Sequence, residues 1–382
     1  MNITIITSSY RPNIGGVEEA VYNLTEEYKK LGHKVNIITA KWPENLKDRE
    51  IIDEVEVGRF DFPIPGLSFS NIKSFVFRFP NANRKFKQFI EDKKPEAVHL
   101  HCVSSSGFYT LLAKKLLNFP LVVTLHGETV MDDYDIYKKS STLRWTLRNL
   151  LKKADWVTAN SSYILEDAFN TYFRRLNNSS VVFNGVDLDE FQNIDKYSHL
   201  KPYIFATGRI VYKKGFDLLI KAFKKVSDEF NDTDLLISGK GDYEDNLRNL
   251  ISELSLNKRV HLLGPADRKK NVSLFKGCEF FVMPSRLEPF GIVCLEAMAA
   301  GKPVIASNIG GTKEFVTEDF GILVNPENIN ELADALRDLL SNKKKRERMG
   351  KIAKEKVKDF SWSNIAGQYL DIYRHSINAR MP

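Results

Sequence analysis

The sequence predicts an α/β protein built as two Rossmann-like, doubly wound parallel-sheet domains, and three observations carry that expectation. Short apolar runs rich in β-branched residues alternate with stretches of helical period in two successive sets. At 382 residues the chain is too long for one ordinary core and suits two. A polar, poorly periodic segment, NGVDLDEFQNIDKYSHLKP at 184–202, divides the two sets. The first domain is therefore expected over 1–190 and the second over 191–359.

The first set of strands is read at 3–7, 35–39, 97–101, 121–125, 156–159 and 180–183. The second begins at Tyr203 and continues at 235–238, 260–263, 279–283, 303–306 and 321–324. Right-handed crossovers between such strands give doubly wound sheets, which bind ligands beyond the carboxyl ends of their strands. The chain opens as ITIITSSYRPNIGGVEEAVYNLTEEYKKLGHKV: a strand, a loop, an amphipathic helix and a strand. Gly15 and Gly16 stand just before that helix, as a plain loop pair or where backbone must approach something closely. They do not form G-x-G-x-x-G, so nicotinamide binding is not indicated.

Composition excludes several classes. Hydrophobic residues make up 43% of the chain, as in a globular protein, and no apolar run reaches the length of a membrane span or follows a basic leader. Cys102, Cys278 and Cys294 show no metal spacing and read as buried thiols of a reducing compartment. The net charge of +7 is spread mildly over both halves without a nucleic-acid-binding module, so nucleic acid is not an expected partner. A cytoplasmic location is expected, with membrane association at the inner face as an addition. That addition rests on two basic segments, 69–94 with Phe75, Phe77, Phe79, Phe86 and Phe89 interleaved, and 138–153 without an acidic residue. Both read either as helices lying on an anionic membrane or as helices whose aromatic faces pack on the first sheet. The run KKKRER at 343–348 reads as a solvated helix face.

The most informative stretch is SRLEPFGIVCLEAMAAGKP at 285–303. The apolar run CEFFVM before it reads as a buried strand, Glu288 falls in the following turn, and 292–300 are good helix formers stopped by Gly301 and Pro303. The backbone N–H groups of Phe290, Gly291, Ile292 and Val293 open this helix and, with its dipole, offer an anion site suited to a diphosphate. Glu296, one turn in, is placed to accept the two hydroxyls of a ribose. On spacing alone both glutamates also fit as first-turn residues, each stabilising the dipole by about 0.3–1 kcal/mol.

Two further loops fall where ligands bind. In ATGRIVYKKGFDLLIKAF (206–223), Arg209 and Lys214 sit between a strand and a helix, where two cations either neutralise a diphosphate leaving group or remain solvated. Lys213 is an alternative in that register. In FPLVVTLHGE, His126 lies just past a strand, as a ligand contact or a satisfied structural residue. His99 and His101, in AVHLHC, read as strand-end residues without the further ligands that zinc requires.

Taken in order, these segments resemble glycosyltransferase family 4. Every fixed position of its E-x7-E signature, with F-G-x-x-x-x-E-A-M-A-x-G-x-P inside, is matched by Glu288, Phe290–Pro303 and Glu296; the family's G-R-x-x-x-x-K-G clamp and P-x-x-G-G-x-E loop resemble Arg209–Lys214 and Pro12–Glu18. The resemblance spans nearly the whole chain and implies a GT-B fold, two Rossmann-like domains facing a cleft, with a helix over 360–382 crossing back onto the first. It implies a retaining, metal-independent transfer, with no cofactor, from a UDP- or GDP-linked sugar to a hydroxyl of a saccharide or lipid-linked acceptor. The roles it implies are catalytic for His126, Arg209, Lys214 and Glu288. Donor binding is implied for Gly15, Gly16, Gly239, Val260, Leu262, Phe290, Gly291, Ile292, Val293 and Glu296, and acceptor contacts for loops near 103–108 and 127–137. A nucleotide-sugar epimerase, a phosphorylase and a non-catalytic nucleotide-sugar sensor are the rival readings of the same residues.

Overall fold

A computed structural model describes residues 1–13, 15–66, 69–131, 136–172 and 178–380, the side chains of 69–71 and 172 excepted. The chain divides into two compact units, Met1–Asn184 with Trp362–Pro382, and Gly185–Ser361. Part of the expected acceptor loop, 132–135, lies outside the described residues.

The strands of the first unit are β1 (Asn2–Thr7), β2 (Lys34–Ala40), β3 (Arg49–Ile52), β4 (Val55–Phe60), β5 (Ala97–His101), β6 (Leu121–Leu125), β7 (Trp156–Ala159) and β8 (Ser179–Val181). They form one sheet in the order β3-β4-β2-β1-β5-β6-β7-β8, parallel except for β3 against β4. Neither strand of that hairpin is among those read from the sequence. Asp53 and Glu54 both have positive φ, 46° and 67°, the backbone of a tight two-residue hairpin turn normally marked by Asn-Gly or Asp-Gly. The strands that the sequence does show, such as AVHLH and LVVTL, are buried along their whole length, as a sheet covered on both faces requires.

The helices are α1 (Gly16–Lys30), α2 (Phe69–Lys93), α3 (Ser105–Leu117), α4 (Ile136–Lys139), α5 (Ser141–Lys153) and α6 (Ser162–Tyr172) in this unit. In the second they are α7 (Phe216–Val226), α8 (Glu244–Glu253), α9 (Arg268–Gly277), α10 (Ile292–Ala299), α11 (Ile329–Ser341) and α12 (Lys343–Lys356). The last, α13 (Trp362–Asn378), belongs to the first unit: Trp362, Ile365, Tyr369 and Tyr373 share a core with Ala20, Val21, Leu24 and Tyr28 of α1.

The second unit carries β9 (Tyr203–Thr207), β10 (Asp234–Ser238), β11 (Val260–Leu262), β12 (Phe281–Met283), β13 (Val304–Ser307) and β14 (Gly321–Val324). Their order is β11-β10-β9-β12-β13-β14 with every pair parallel. Because β9 and β12 are neighbours, the loops leaving their carboxyl ends, at 208–214 and 284–291, emerge side by side. The KKKRER run falls on α12, where Lys345 pairs with Asp338 and Arg346 with Glu279.

Most aromatics of the first basic segment belong to the core. Phe86 and Phe89 are fully buried, and Phe75 and Phe79 pack against Phe108 and Tyr109 on α3. Phe77 is 73% exposed. Phe86→Ala is therefore expected to destabilise the first unit by about 3–5 kcal/mol, whereas Phe77→Ala should change it by less than about 0.5 kcal/mol. Urea unfolding followed by tryptophan fluorescence separates the two; equal losses would contradict the packing.

Candidate active site

Glu288 is the centre of the second unit's loops. Its side chain is buried, and its Oε2 accepts hydrogen bonds from Lys214 Nζ at 2.6 Å and Ser285 Oγ at 3.1 Å. A cation and a hydroxyl thus replace the water that this buried carboxyl has lost. Its backbone is fixed too: Glu288 bridges Gly310, and Gly311 N–H donates to the Glu288 carbonyl at 2.9 Å. Gly310 has φ +101°, and a Cβ there would lie 2.0 Å from the Glu288 carbonyl oxygen, so no other residue fits without moving the Glu288 main chain.

The clamp loop and the Glu288 turn are tied by residues that sequence reasoning passed over. Arg286 donates through both terminal nitrogens to the carboxylate of Asp217, at 2.7 and 2.8 Å, and to the Tyr212 carbonyl at 2.8 Å. Its guanidinium also covers the Tyr212 ring at 3.9 Å, and its own N–H donates to the Lys213 carbonyl. The short turn Tyr212–Lys214 is thereby pinned against the β12 loop, which brings Lys214 to Glu288. Arg209 lies exposed at the end of β9; the flanking Gly208 and Ile210 N–H groups donate to Ser238 and Lys240 carbonyls. Gly239 joins the same interlock through its N–H to the Gly264 carbonyl at 2.9 Å.

Helix α10 begins at Ile292, capped by Gly291 at φ +96°, and its first internal bond runs from Cys294 N–H to the Gly291 carbonyl. The N–H groups of Ile292 and Val293 precede that bond and point out of the helix end. Phe290 is an anchor, buried against Phe315 at 4.8 Å. Glu296, one turn in, is also buried and meets the guanidinium of Arg268, which donates through Nε to Glu190 at 2.7 Å. Neither Arg268 nor Glu190 was singled out from sequence. A signal existed, because an arginine in the first turn of α9 opposes the helix dipole and calls for carboxylate partners. Val260 is packed into the hydrophobic core at the start of β11, and Leu262 closes that strand.

In the first unit, Gly16 starts α1 and Gly15 caps it; a Cβ on Gly15 would come 2.5 Å from Glu18 Oε2, so the Glu18 carboxylate folds over the helix entrance. His126 directly follows β6, and its ring joins an inward chain of imidazoles. His126 Nε2 is hydrogen-bonded to His101 Nδ1 at 3.0 Å, and His101 Nε2 to His99 Nδ1 at 3.1 Å; His99 meets Tyr373 and Thr124 hydroxyls, both at 2.6 Å. His99 and His101 are thus a buried support for His126. Burial holds all three imidazoles neutral, with His126 lowered to about 4. Glu128 braces the loop by accepting the N–H groups of Val103 and His126, each at 2.7 Å.

Comparison with known proteins bears on this geometry. The family model described as Glycosyltransferase Family 4 matches residues 14–190, and that for Glycosyl transferases group 1 matches residues 189–356. An uncharacterised glycosyltransferase of Methanocaldococcus jannaschii is 30% identical over 97% of both chains. The chain is a family 4 glycosyltransferase. The transferase is also 28% identical to a D-inositol 3-phosphate glycosyltransferase of Corynebacterium aurimucosum, over 96% of this chain and 93% of that one. Sucrose-phosphate synthase from Thermosynechococcus elongatus, at 23% identity, superposes with a TM-score of 0.81 over 99% of this chain and 100% of that one. The transferase therefore has the GT-B fold.

The neutral histidines make the stability of the first unit pH-dependent. Unfolded imidazoles take up protons near their usual pKa of about 6.5, while folded ones resist until far lower. Their contribution is complete above about pH 6.5 and is lost as pH falls toward 4. Glu128 acts in the opposite sense, its carboxyl raised by burial but restrained by backbone N–H groups that favour its ionised form. The unit's thermal midpoint is expected to fall by roughly 5–10 °C between pH 7 and pH 5. His101→Gln should flatten that slope; an unchanged slope in calorimetry would show that other groups set it.

Proposed function

We propose that this transferase moves a sugar, with retention of anomeric configuration and without a metal cofactor, from a UDP- or GDP-sugar to a hydroxyl of a saccharide or lipid-linked acceptor. The observation that carries the proposal is the joining, on adjacent strand ends of one unit, of Lys214, Glu288, the N–H groups of Ile292 and Val293, and Glu296. A nucleoside diphosphate sugar needs that combination. The helix end and the Lys214 ammonium suit a diphosphate, Arg209 adds a second cation, and this charge stabilises the leaving group as the sugar–oxygen bond breaks. Glu288 suits sugar hydroxyls. Glu296 suits a ribose diol, with Arg268 fixing its carboxylate.

Retention rests on family membership. His126 is assigned to the donor sugar on the same ground, and its neutral, hydrogen-bonded ring favours contact with a hydroxyl over general acid catalysis. The inositol phosphate named for the Corynebacterium relative supports a hydroxyl-bearing acceptor here.

The test is a thermal-shift panel of UDP, GDP, ADP and their sugars, without metal and then with magnesium, followed by turnover of Glu288→Gln. A selective shift with UDP or GDP species in the absence of metal is expected, with turnover lowered by about 100-fold in the variant. No shift with any nucleotide, or near-wild-type turnover, would overturn the site assignment; product formed without acceptor would show an epimerase instead.

One surface observation supports the membrane part of this reading. No helix among the described residues is long and apolar enough to cross a membrane, but Lys73, Val76 and Phe77 form an exposed stripe on α2. Trp145, Arg148, Lys152 and Lys153 are exposed on α5. Apolar groups interleaved with cations suit an anionic lipid surface. The protein is expected to float with vesicles containing phosphatidylglycerol and to lose at least tenfold of that binding in Val76→Asp/Phe77→Asp; equal binding to neutral vesicles would refute the contact.

A further inference from the structure

The second unit carries a cluster of titratable side chains that the transfer reaction does not use. Asp234 is the first residue of β10, His261 lies in β11, and His199 lies in the segment before β9. The β10–β11 register places His261 beside Leu236, so His261 and Asp234 project from the same sheet face. Their atoms converge. His199 Nε2 lies 2.9 Å and His261 Nε2 3.2 Å from the same oxygen, Asp234 Oδ2, and the three ligand-capable atoms lie within 4.8 Å of one another. The two imidazole rings stand nearly at right angles, 68° apart, with centroids separated by 5.4 Å.

We infer that His199, Asp234 and His261 form a binding site for one divalent transition-metal ion, zinc foremost, at the edge of the C-terminal sheet. Two neutral imidazole nitrogens and one carboxylate oxygen are the donor set that zinc prefers when a fourth position is left to water. A tetrahedral ion with bonds of about 2.0–2.1 Å holds its ligand atoms about 3.3 Å apart. The nitrogen–oxygen separations, 2.9 and 3.2 Å, lie just below that spacing, so an ion replacing the shared protons requires the imidazoles to move apart from the carboxylate by a few tenths of an ångström. The carboxylate is also prepared as a monodentate ligand: its other oxygen, Oδ1, accepts from Arg259 Nε at 3.2 Å. Arg259 is itself anchored to the Ser227 and Phe230 carbonyls at 3.0 and 2.7 Å. A ligating carboxylate with its free oxygen held from outside is a normal feature of built metal sites. Arg259, and Lys201 at 3.9 Å from Oδ1, oppose added positive charge, so the affinity rests on the imidazoles. Asp234 is buried while His199 and His261 are partly exposed, which gives an ion a route in.

The position sets the role. The cluster opens from the amino end of β10, whereas Glu288 follows the carboxyl end of β12. The ion would tie the segment before β9 to the edge strand β11 and stabilise the unit without entering the transfer reaction.

The test uses the full chain, free of any polyhistidine tag, titrated with Co2+ and Zn2+. One equivalent of Co2+ is expected to give the visible absorption bands of a tetrahedral site, displaced by Zn2+, and Zn2+ should raise the thermal midpoint. His199→Gln and His261→Gln should each weaken binding by at least roughly tenfold, with metal-free circular dichroism and turnover unchanged. If one variant fails to fold, the other decides. Absence of Co2+ bands, or binding of undiminished affinity in both variants, would overturn the site and place the metal elsewhere.

Discussion

The ion pair between Glu288 and Lys214 is the contact on which the donor half of this protein depends. A buried charged side chain is costly unless it is paired and hydrogen-bonded. Lys214 compensates Glu288 at 2.6 Å, and the requirement that Lys214 arrive at the right place explains much else in the unit. The short turn bearing Lys214 is held by Arg286, whose bidentate grip on Asp217 leaves neither charge uncompensated. Gly310 lets a neighbouring loop touch the Glu288 main chain, so both ends of the carboxylate's support are fixed. If the proposed function holds, the same pair has a chemical consequence, since Lys214 would divide its charge between Glu288 and an incoming diphosphate.

The two units solve the problem of buried polar groups differently. In the second, charges are paired in order: Glu190 with Arg268, Arg268 with Glu296, Lys214 with Glu288, Arg286 with Asp217. In the first, neutral groups form a chain from His126 through His101 and His99 to the hydroxyls of Tyr373 and Tyr28. A chain of neutral donors and acceptors avoids the desolvation cost of charge while fixing the orientation of each ring. It suits a residue that must present an uncharged imidazole.

The strand, turn and helix around Glu288 were legible because each is signalled locally, by an apolar run, a proline-containing turn and a glycine stop. The two Rossmann-like units were legible for the same reason, as repeated strand and helix periods, while the GT-B architecture was implied by the family resemblance. The β3–β4 hairpin was not, because Asp53 and Glu54 adopt positive φ without the glycine or asparagine that usually announces it. Arg268 and Arg286 were missed because their partners lie 78 and 69 residues away, and periodicity does not reach that far. His99 and His101 carried a weaker signal: two polar rings at i and i+2 share one face of a buried strand, and such groups require partners. Tyr373, on a distant helix, supplies one to His99, and His126 supplies one to His101.

The return of α13 to the first unit has a consequence for how the chain is made. Ribosomal synthesis delivers the first unit's sheet early, but the helix that covers Ala20, Val21, Leu24 and Tyr28, and that carries the hydroxyl facing His99, emerges after residue 361. The unit that starts first therefore finishes last, the reverse of the usual vectorial order. Until α13 is made, the face of α1 formed by Ala20, Val21, Leu24 and Tyr28 lacks its native cover.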